Sequence, residues 1–179
     1  RALSRSLDQV VKASQALVVI LGTVRRNPES GEKRLFNSAA IIENGRLIGF
    51  QDKFLLPTYD VFDERRYFDS GKTNHLWEFL GKKWAISICE DIWQDKALLD
   101  GCQYSRQPIF ELASENPDFH INISASPFSL GHFAERTRVL IVAAETLSCP
   151  VFYVNSAGAN DSLLFDGFSV FMDRFGKTL

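Results

Sequence analysis

Cys89 is the residue in this sequence from which covalent chemistry would start. It ends a short apolar run, residues 84–88, and is followed at once by two carboxylates, Glu90 and Asp91. The carboxyl ends of strands in α/β sheets are where ligands meet catalytic groups, although a free cysteine most often packs as a small buried hydrophobe. Two adjacent carboxylates raise a thiol above its free pKa of about 8.5 and make the thiolate rarer. A nucleophilic Cys89 therefore needs a cation or a base beside it.

Three histidines are available. His75 sits in a polar turn next to Asn74, and His120 lies inside an apolar run, where a satisfied core histidine is the simpler reading. His132 could form a papain-like pair with Cys89, but nothing local supports one. No two Cys or His residues show zinc-ligand spacing. Lys53 is the better partner. It closes a strand and precedes Phe54-Leu55-Leu56-Pro57, so its backbone lies among apolar groups while its ammonium must find an anion. A lysine snorkelling at a strand end is the plainer alternative. An ammonium beside a thiol favours the thiolate and can donate a hydrogen bond to an oxyanion. The thiol proton still needs a base, and a carboxylate raised by burial would serve. Gly71-Lys72-Thr73 and Gly176-Lys177-Thr178 carry the end of a phosphate-loop motif, yet the required first glycine is Arg66 in one and Phe171 in the other, so no nucleotide site is expected.

The elements that must position these groups can be read from pattern. Residues 2–14 read as a helix, with Leu3, Leu7, Val10, Val11 and Ala13 mostly on one stripe. Residues 16–21 read as a strand covered on both faces, because their apolar run does not alternate. Residues 37–42 and 46–51 flank Asn44-Gly45, the dipeptide of a type I′ hairpin. Residues 53–68 hold Pro57 and five aromatics, among them Tyr59, which is too irregular for a helix and too rich for a plain linker. Strands are expected at 84–88, 119–124 and 151–155. Helices are expected at 108–113 and 131–147, the second apolar at Phe133, Val139, Val142 and Ala143. Residues 167–173 should pair with the residues after the Phe175-Gly176 turn. This alternation defines an α/β class with a mixed sheet.

The chain has 179 residues, with 45% hydrophobic and 23% charged side chains, which excludes disorder and low-complexity classes. Folding at this length buries roughly 70% of the surface the unfolded chain exposes, enough for one domain without staples. Twenty Lys+Arg against 22 Asp+Glu give a net charge of -2, without a basic run, so nucleic acid is not an expected partner. The longest apolar stretch, residues 16–24, is half a membrane span, so no membrane is expected either. Cys89, Cys102 and Cys149 form no CxxC pair and leave one thiol unpaired, which favours a reducing cytoplasm. The first residue is Arg1 rather than Met, as for a piece of a longer chain.

These residues also carry a family likeness. Asp52-Lys53-Phe54-Leu55-Leu56-Pro57-Thr58-Tyr59, continuing through Asp60 to Phe68, and then Ile88-Cys89-Glu90-Asp91-Ile92-Trp93, resemble the lysine and cysteine motifs of the nitrilase (carbon-nitrogen hydrolase) superfamily. Residues 59–68, the segment Asn122-Ile123-Ser124-Ala125-Ser126-Pro127-Phe128, and Tyr153-Val154-Asn155 through Phe165-Asp166-Gly167 resemble one branch, the glutaminase domain of glutamine-dependent NAD synthetase. The resemblance runs from about residue 2 to residue 177.

The resemblance implies an αββα sandwich with mixed sheets, here incomplete at both ends, and a Glu-Lys-Cys triad. By motif position Cys89 would be the nucleophile that attacks the side-chain amide of glutamine, and Lys53 the oxyanion-stabilising cation. Tyr59 and Ser126 fall where the family binds glutamine, and Glu64 falls at a second glutamate that helps hold the site. His132 stands six residues past Ser126, where relatives carry Lys or Arg at the substrate carboxylate; a protonated imidazole could serve there. Taken alone, Tyr59 reads as packing in an aromatic loop, Ser126 as a turn residue before Pro127, and Glu64 as one charge on a solvated face. The triad glutamate is expected upstream of Arg1, and no Glu in the chain substitutes for it. Residues 1–179 would form a single partial glutaminase domain, inactive by itself, needing no cofactor or metal. The synthetase domain that uses ATP and Mg is expected outside these residues, as are a homo-oligomer and a cytoplasmic location. A stand-alone nitrilase-type amidase and a non-catalytic nitrilase-like assembly domain are the rival readings. The segment 94–106 looks longer than in many relatives.

Overall fold

Asn44 and Gly45 both hold positive φ, +50° and +72°, as a type I′ turn requires, and they join two strands as expected. The computed structural model in which they are seen describes residues 2–29, 31–93 and 104–179. Arg1, Cys102 and residues 94–103 of the long segment lie outside the described residues. The chain divides into two compact units, Arg1–Thr73 and Asn74–Leu179.

In the first unit, helix α1 (Ala2–Ala13) precedes strands β1 (Val18–Arg26), β2 (Leu35–Glu43) and β3 (Arg46–Asp52). The strands pair antiparallel in the order β1-β2-β3, with an irregularity between Ile41 and Ile42. Burial concentrates in central β2, where Ala39, Ala40, Ile41 and Ile42 are inaccessible. The expectation of a doubly covered strand at residues 16–21 is corrected here. That apolar run lies in edge strand β1, which is half-buried along most of its length and continues past Gly22 to Arg26. An unalternating run reports hydrophobicity, not sheet position. No residue of α1 is buried, although its apolar stripe is present.

In the second unit, β4 (Trp77–Phe79), β5 (Lys82–Ile88), β6 (Phe119–Ser124), β7 (Val151–Asn155) and β10 (Val170–Met172) form a sheet ordered β10-β7-β6-β5-β4. The three central strands run parallel and the outer two antiparallel. A short hairpin, β8 (Ala157–Asn160) with β9 (Leu163–Asp166), stands apart from this sheet. Parallel neighbours need crossovers, and helices α2 (Pro108–Ala113) and α3 (His132–Leu147) lie on those connections. Val139, Leu140, Ala143, Ala144 and Leu147 of α3 pack with Ile109 and Leu112 of α2 over Ala85, Val151, Tyr153 and Met172. Residues of opposite parity carry an aromatic ladder across the strands. Trp84 stacks on Phe79 and Phe119 at ring distances of 4.8 and 4.7 Å, and Phe152 on Phe171 at 4.4 Å.

The expected strand at 167–173 shrinks to β10, which pairs with β7. It meets the residues after the Phe175-Gly176 turn, as expected, at an antiparallel bridge of Met172 with Thr178, where the Asp173 N–H donates to the Lys177 carbonyl at 2.8 Å and the Leu179 N–H to the Phe171 carbonyl at 3.0 Å.

Candidate active site

Lys53 emerges one residue past β3, and its backbone is clamped on both sides. Its N–H donates to the Asn37 carbonyl and its carbonyl accepts from the Gly71 N–H, each at 2.8 Å. Gly71 is required at that approach, because a Cβ there would stand 2.7 Å from the Asp52 carbonyl oxygen. The Lys53 side chain is 1% exposed, and its Nζ donates to Glu64 Oε1 at 2.5 Å. The carboxylate offsets part of the cost of taking the ammonium out of water. The other Glu64 oxygen accepts from Asn37 Nδ2 at 3.3 Å. Glu64 opens a single 3-10 turn, Glu64–Arg66, and its N–H donates to the Pro57 carbonyl at 3.1 Å, closing the aromatic loop behind it. Asp52 is fixed in turn by Ser38 Oγ at 2.6 Å and by a two-pronged ion pair with Arg25. Tyr59 lies on this loop, 40% exposed, with its ring 5.8 Å from Phe62. Glu64 is thus partnered to Lys53 rather than solvated, while Tyr59 stands open to the surface of its unit.

Cys89 is half-buried directly after β5 and heads a single 3-10 turn, Cys89–Ile92. Its φ is +46°. A non-glycine residue in that region is strained, and such strain persists where surrounding structure holds it. Asp91, with no accessible surface, accepts from the Ile88 N–H at 3.1 Å, and buried Glu90 accepts from Tyr104 Oη at 3.0 Å. The two carboxylates that made a cation necessary are therefore built into the turn itself.

Ser126 and His132 are brought together within the second unit, with Ser126 Oγ and His132 Nε2 3.3 Å apart. His132 stacks on Trp93 at 5.1 Å, and its Nδ1 lies 3.1 Å from Glu135. Ser126 is pinned by Asn155, whose Oδ1 accepts from its N–H at 2.8 Å and whose Nδ2 donates to its carbonyl at 3.3 Å.

The motif reading missed one cation, Arg136. It lies one turn beyond His132 on α3 and is 2% exposed. It is paired with Asp166 at 3.1 Å and reaches Ser126 Oγ at 3.5 Å. Its Nε is buried without a partner among the described residues. The i, i+4 spacing from His132 was the available signal. Tyr153 lies nearby, and burial holds its phenol above the ordinary range, while hydrogen bonds with Ser124 and Ser126 pull the other way.

His120 is fully buried in β6, as expected for a core histidine, and desolvation pushes it down to about 3. Its Nε2 meets Ser87 Oγ at 2.7 Å, and its Nδ1 has no partner among the described residues. His75 packs against Trp77 at 4.6 Å. Lys72, in the rejected phosphate-loop lookalike, is paired with Glu29. Among the described residues no group of three Cys, His, Asp or Glu could hold a metal ion, and no helix is long and apolar enough to cross a membrane.

The chain has relatives by sequence and by structure. No protein-family model matches the chain. An amidase of the nitrilase superfamily from Nesterenkonia AN1 superposes with a TM-score of 0.75 at 16% identity over 97% of this chain and 59% of that one, a likeness of fold alone. The chain thus has the α/β fold of the nitrilase, or carbon-nitrogen hydrolase, superfamily. Its sequence relatives are glutamine-dependent NAD(+) synthetases. That of Synechocystis is 36% identical over 171 residues, 94% of this chain and 31% of that protein. The structure of the Acinetobacter baumannii synthetase in complex with ADP superposes with a TM-score of 0.82 at 32% identity, over 98% of this chain and 31% of that one. The chain spans 23% to 31% of the length of the curated relatives it matches.

Proposed function

We propose that this chain is the glutamine amidohydrolase portion of a glutamine-dependent NAD synthetase. Cys89 Sγ attacks the carbon of the glutamine side-chain amide after a carboxylate base, a glutamate in the resemblance, takes its proton. The C–N bond breaks, ammonia leaves with that proton, and water hydrolyses the thioester to glutamate. Lys53 is assigned the charge that develops on the amide oxygen, because a buried ammonium already held in place loses little in reorganisation when an oxyanion forms. Glu64 holds Lys53. Tyr59, Ser126 and His132 are assigned to glutamine, with Arg136 behind Ser126. Ammonia then serves the amidation of deamido-NAD in a synthetase domain of the longer chain that uses ATP and Mg, and the ADP complex of the Acinetobacter baumannii synthetase supports adenine-nucleotide use by such a protein. The same reading puts the protein in the cytoplasm as a homo-oligomer.

The observation that carries the proposal is the half-buried cysteine held at positive φ on the carboxyl end of a parallel strand. Ammonia release from glutamine by the parent protein and its Cys89→Ala variant tests it. Loss of release in the variant is expected, and release at the parental rate would end the nucleophile assignment. Faster turnover of a small aliphatic amide than of glutamine would instead point to a stand-alone amidase.

A further inference from the structure

Beneath Cys89 lies a buried polar chain to which the proposed reaction gives no role. Ser124 Oγ lies 2.7 Å from Asn122 Oδ1, Asn122 Nδ2 lies 2.7 Å from Ser87 Oγ, and Ser87 Oγ lies 2.7 Å from His120 Nε2. The same Asn122 amide nitrogen donates to the Cys89 carbonyl at 3.4 Å. Ser87, His120 and Asn122 are each at most 2% exposed, so no solvent competes for these groups.

Donor arithmetic gives the chain a direction. An amide nitrogen only donates, so Asn122 Nδ2 spends one hydrogen on Ser87 Oγ and the other on the Cys89 carbonyl. Asn122 Oδ1 only accepts, so the Ser124 hydroxyl donates to it. Ser87 Oγ accepts from Asn122 and meets His120 Nε2 at the far end of the chain, as donor or acceptor according to the tautomer of the imidazole. A neutral imidazole terminates the chain. Burial of His120 keeps it in that form. Turning the Asn122 amide would present an oxygen to the Cys89 carbonyl.

We infer that Asn122 is a positioning residue for Cys89: oriented by Ser124 on one side and by Ser87 and His120 on the other, it holds the Cys89 carbonyl and with it the left-handed backbone conformation that aims the thiol. The inference rests on Cys89 being the nucleophile. Without Asn122 the strained residue relaxes towards negative φ and Sγ moves off its line of attack. Misplacement of a reacting group by an ångström can lower a rate a hundredfold.

The test is the second-order rate of Cys89 alkylation by iodoacetamide in the intact protein, across a pH series, with the labelled residue located by peptide mass analysis. Glutamine kcat and KM are measured beside it. Asn122→Leu is expected to slow alkylation about tenfold and displace its pH profile, with kcat falling in parallel and KM within about twofold of the parent. Ser124→Ala, which removes the hydroxyl that bonds the Asn122 amide and the Tyr153 phenol, is expected to slow alkylation about threefold. A folded Asn122→Leu that alkylates at the parental rate with the parental pH profile overturns the inference. Should Asn122→Leu not fold, a parental rate in Ser124→Ala overturns it equally. Alkylation needs no glutamine, so a failure of the glutaminase reading leaves this result readable.

Discussion

Replacing Glu64 by leucine leaves the Lys53 ammonium, 1% exposed, without its carboxylate. At 2.5 Å and an effective dielectric near 20 the pair attracts by about 7 kcal/mol, most of which offsets the cost of dehydrating the two charges. Removing one partner of such a pair costs about 3–5 kcal/mol, and in a chain of this size each kcal/mol lowers Tm by about 2–4 °C. Glu64→Leu is therefore expected to unfold about 6–20 °C below the parent. The double variant Lys53→Met/Glu64→Leu removes both charges, and apolar replacements of buried pairs are commonly neutral, so it should recover at least about 2 kcal/mol. Thermal and urea unfolding followed by circular dichroism, arranged as a double-mutant cycle, measures both. The reasoning is refuted if Glu64→Leu lies within about 1 kcal/mol of the parent, or if the double variant is no more stable than Glu64→Leu.

Further expectations rest on single residues. His120 titrates at about 3 in the fold against 6.5 unfolded, so the unfolded chain takes up the proton first. Its contribution to stability is complete above pH 6.5 and is lost towards pH 3 by up to about 1.4 kcal/mol per pH unit. Urea midpoints between pH 7 and 4 should show this slope, reduced by one proton in His120→Gln; equal slopes would contradict it. Cys149 is 2% exposed and its thiol is pushed up to about 12 by burial, so under native conditions at pH 8 iodoacetamide should modify Cys89 well before Cys149, as peptide mass analysis would show. Gly71→Ala places a methyl 2.7 Å from the Asp52 carbonyl and 3.0 Å from the Phe54 ring. Overpacking of that kind costs about 1–3 kcal/mol, read as a lowered urea midpoint, with glutamine turnover reduced because Lys53 shares the clamp.

The second unit was legible because its signals are local. Residues 108–113, 119–124 and 151–155 form α2, β6 and β7 as their patterns predict. Gly131 caps α3 at positive φ, and the helix ends where expected before Pro150. Strand β4 and the β8–β9 hairpin were missed because three or four residues carry no period. The Leu80-Gly81 turn, with φ of +53° and +66°, was the available sign of the first, but leucine is an unusual residue in that conformation. At the site, the types and motif spacing of Lys53 and Cys89 were legible, since each sits at a strand end. The Lys53–Glu64 pair joins residues eleven apart, and no periodicity predicts which loop carboxylate meets a buried lysine. Arg136 and the Ser124–Asn122–Ser87–His120 chain were hidden for a related reason. Each member reads as an ordinary helix or strand residue, and only register brings them together: Ser87 pairs with Asn122 across β5 and β6, and Ser124 with Asn155 across β6 and β7.

The central claim is that Cys89 is the thiol that meets glutamine at its side-chain amide. Incubation with a glutamine analogue carrying a chloroketone in place of the amide, and then intact mass and peptide mapping, tests it most directly. One adduct per chain, on Cys89, suppressed by excess glutamine and absent in Cys89→Ala, is the predicted result. An adduct on another residue, or labelling of Cys89 that glutamine does not slow, would contradict it.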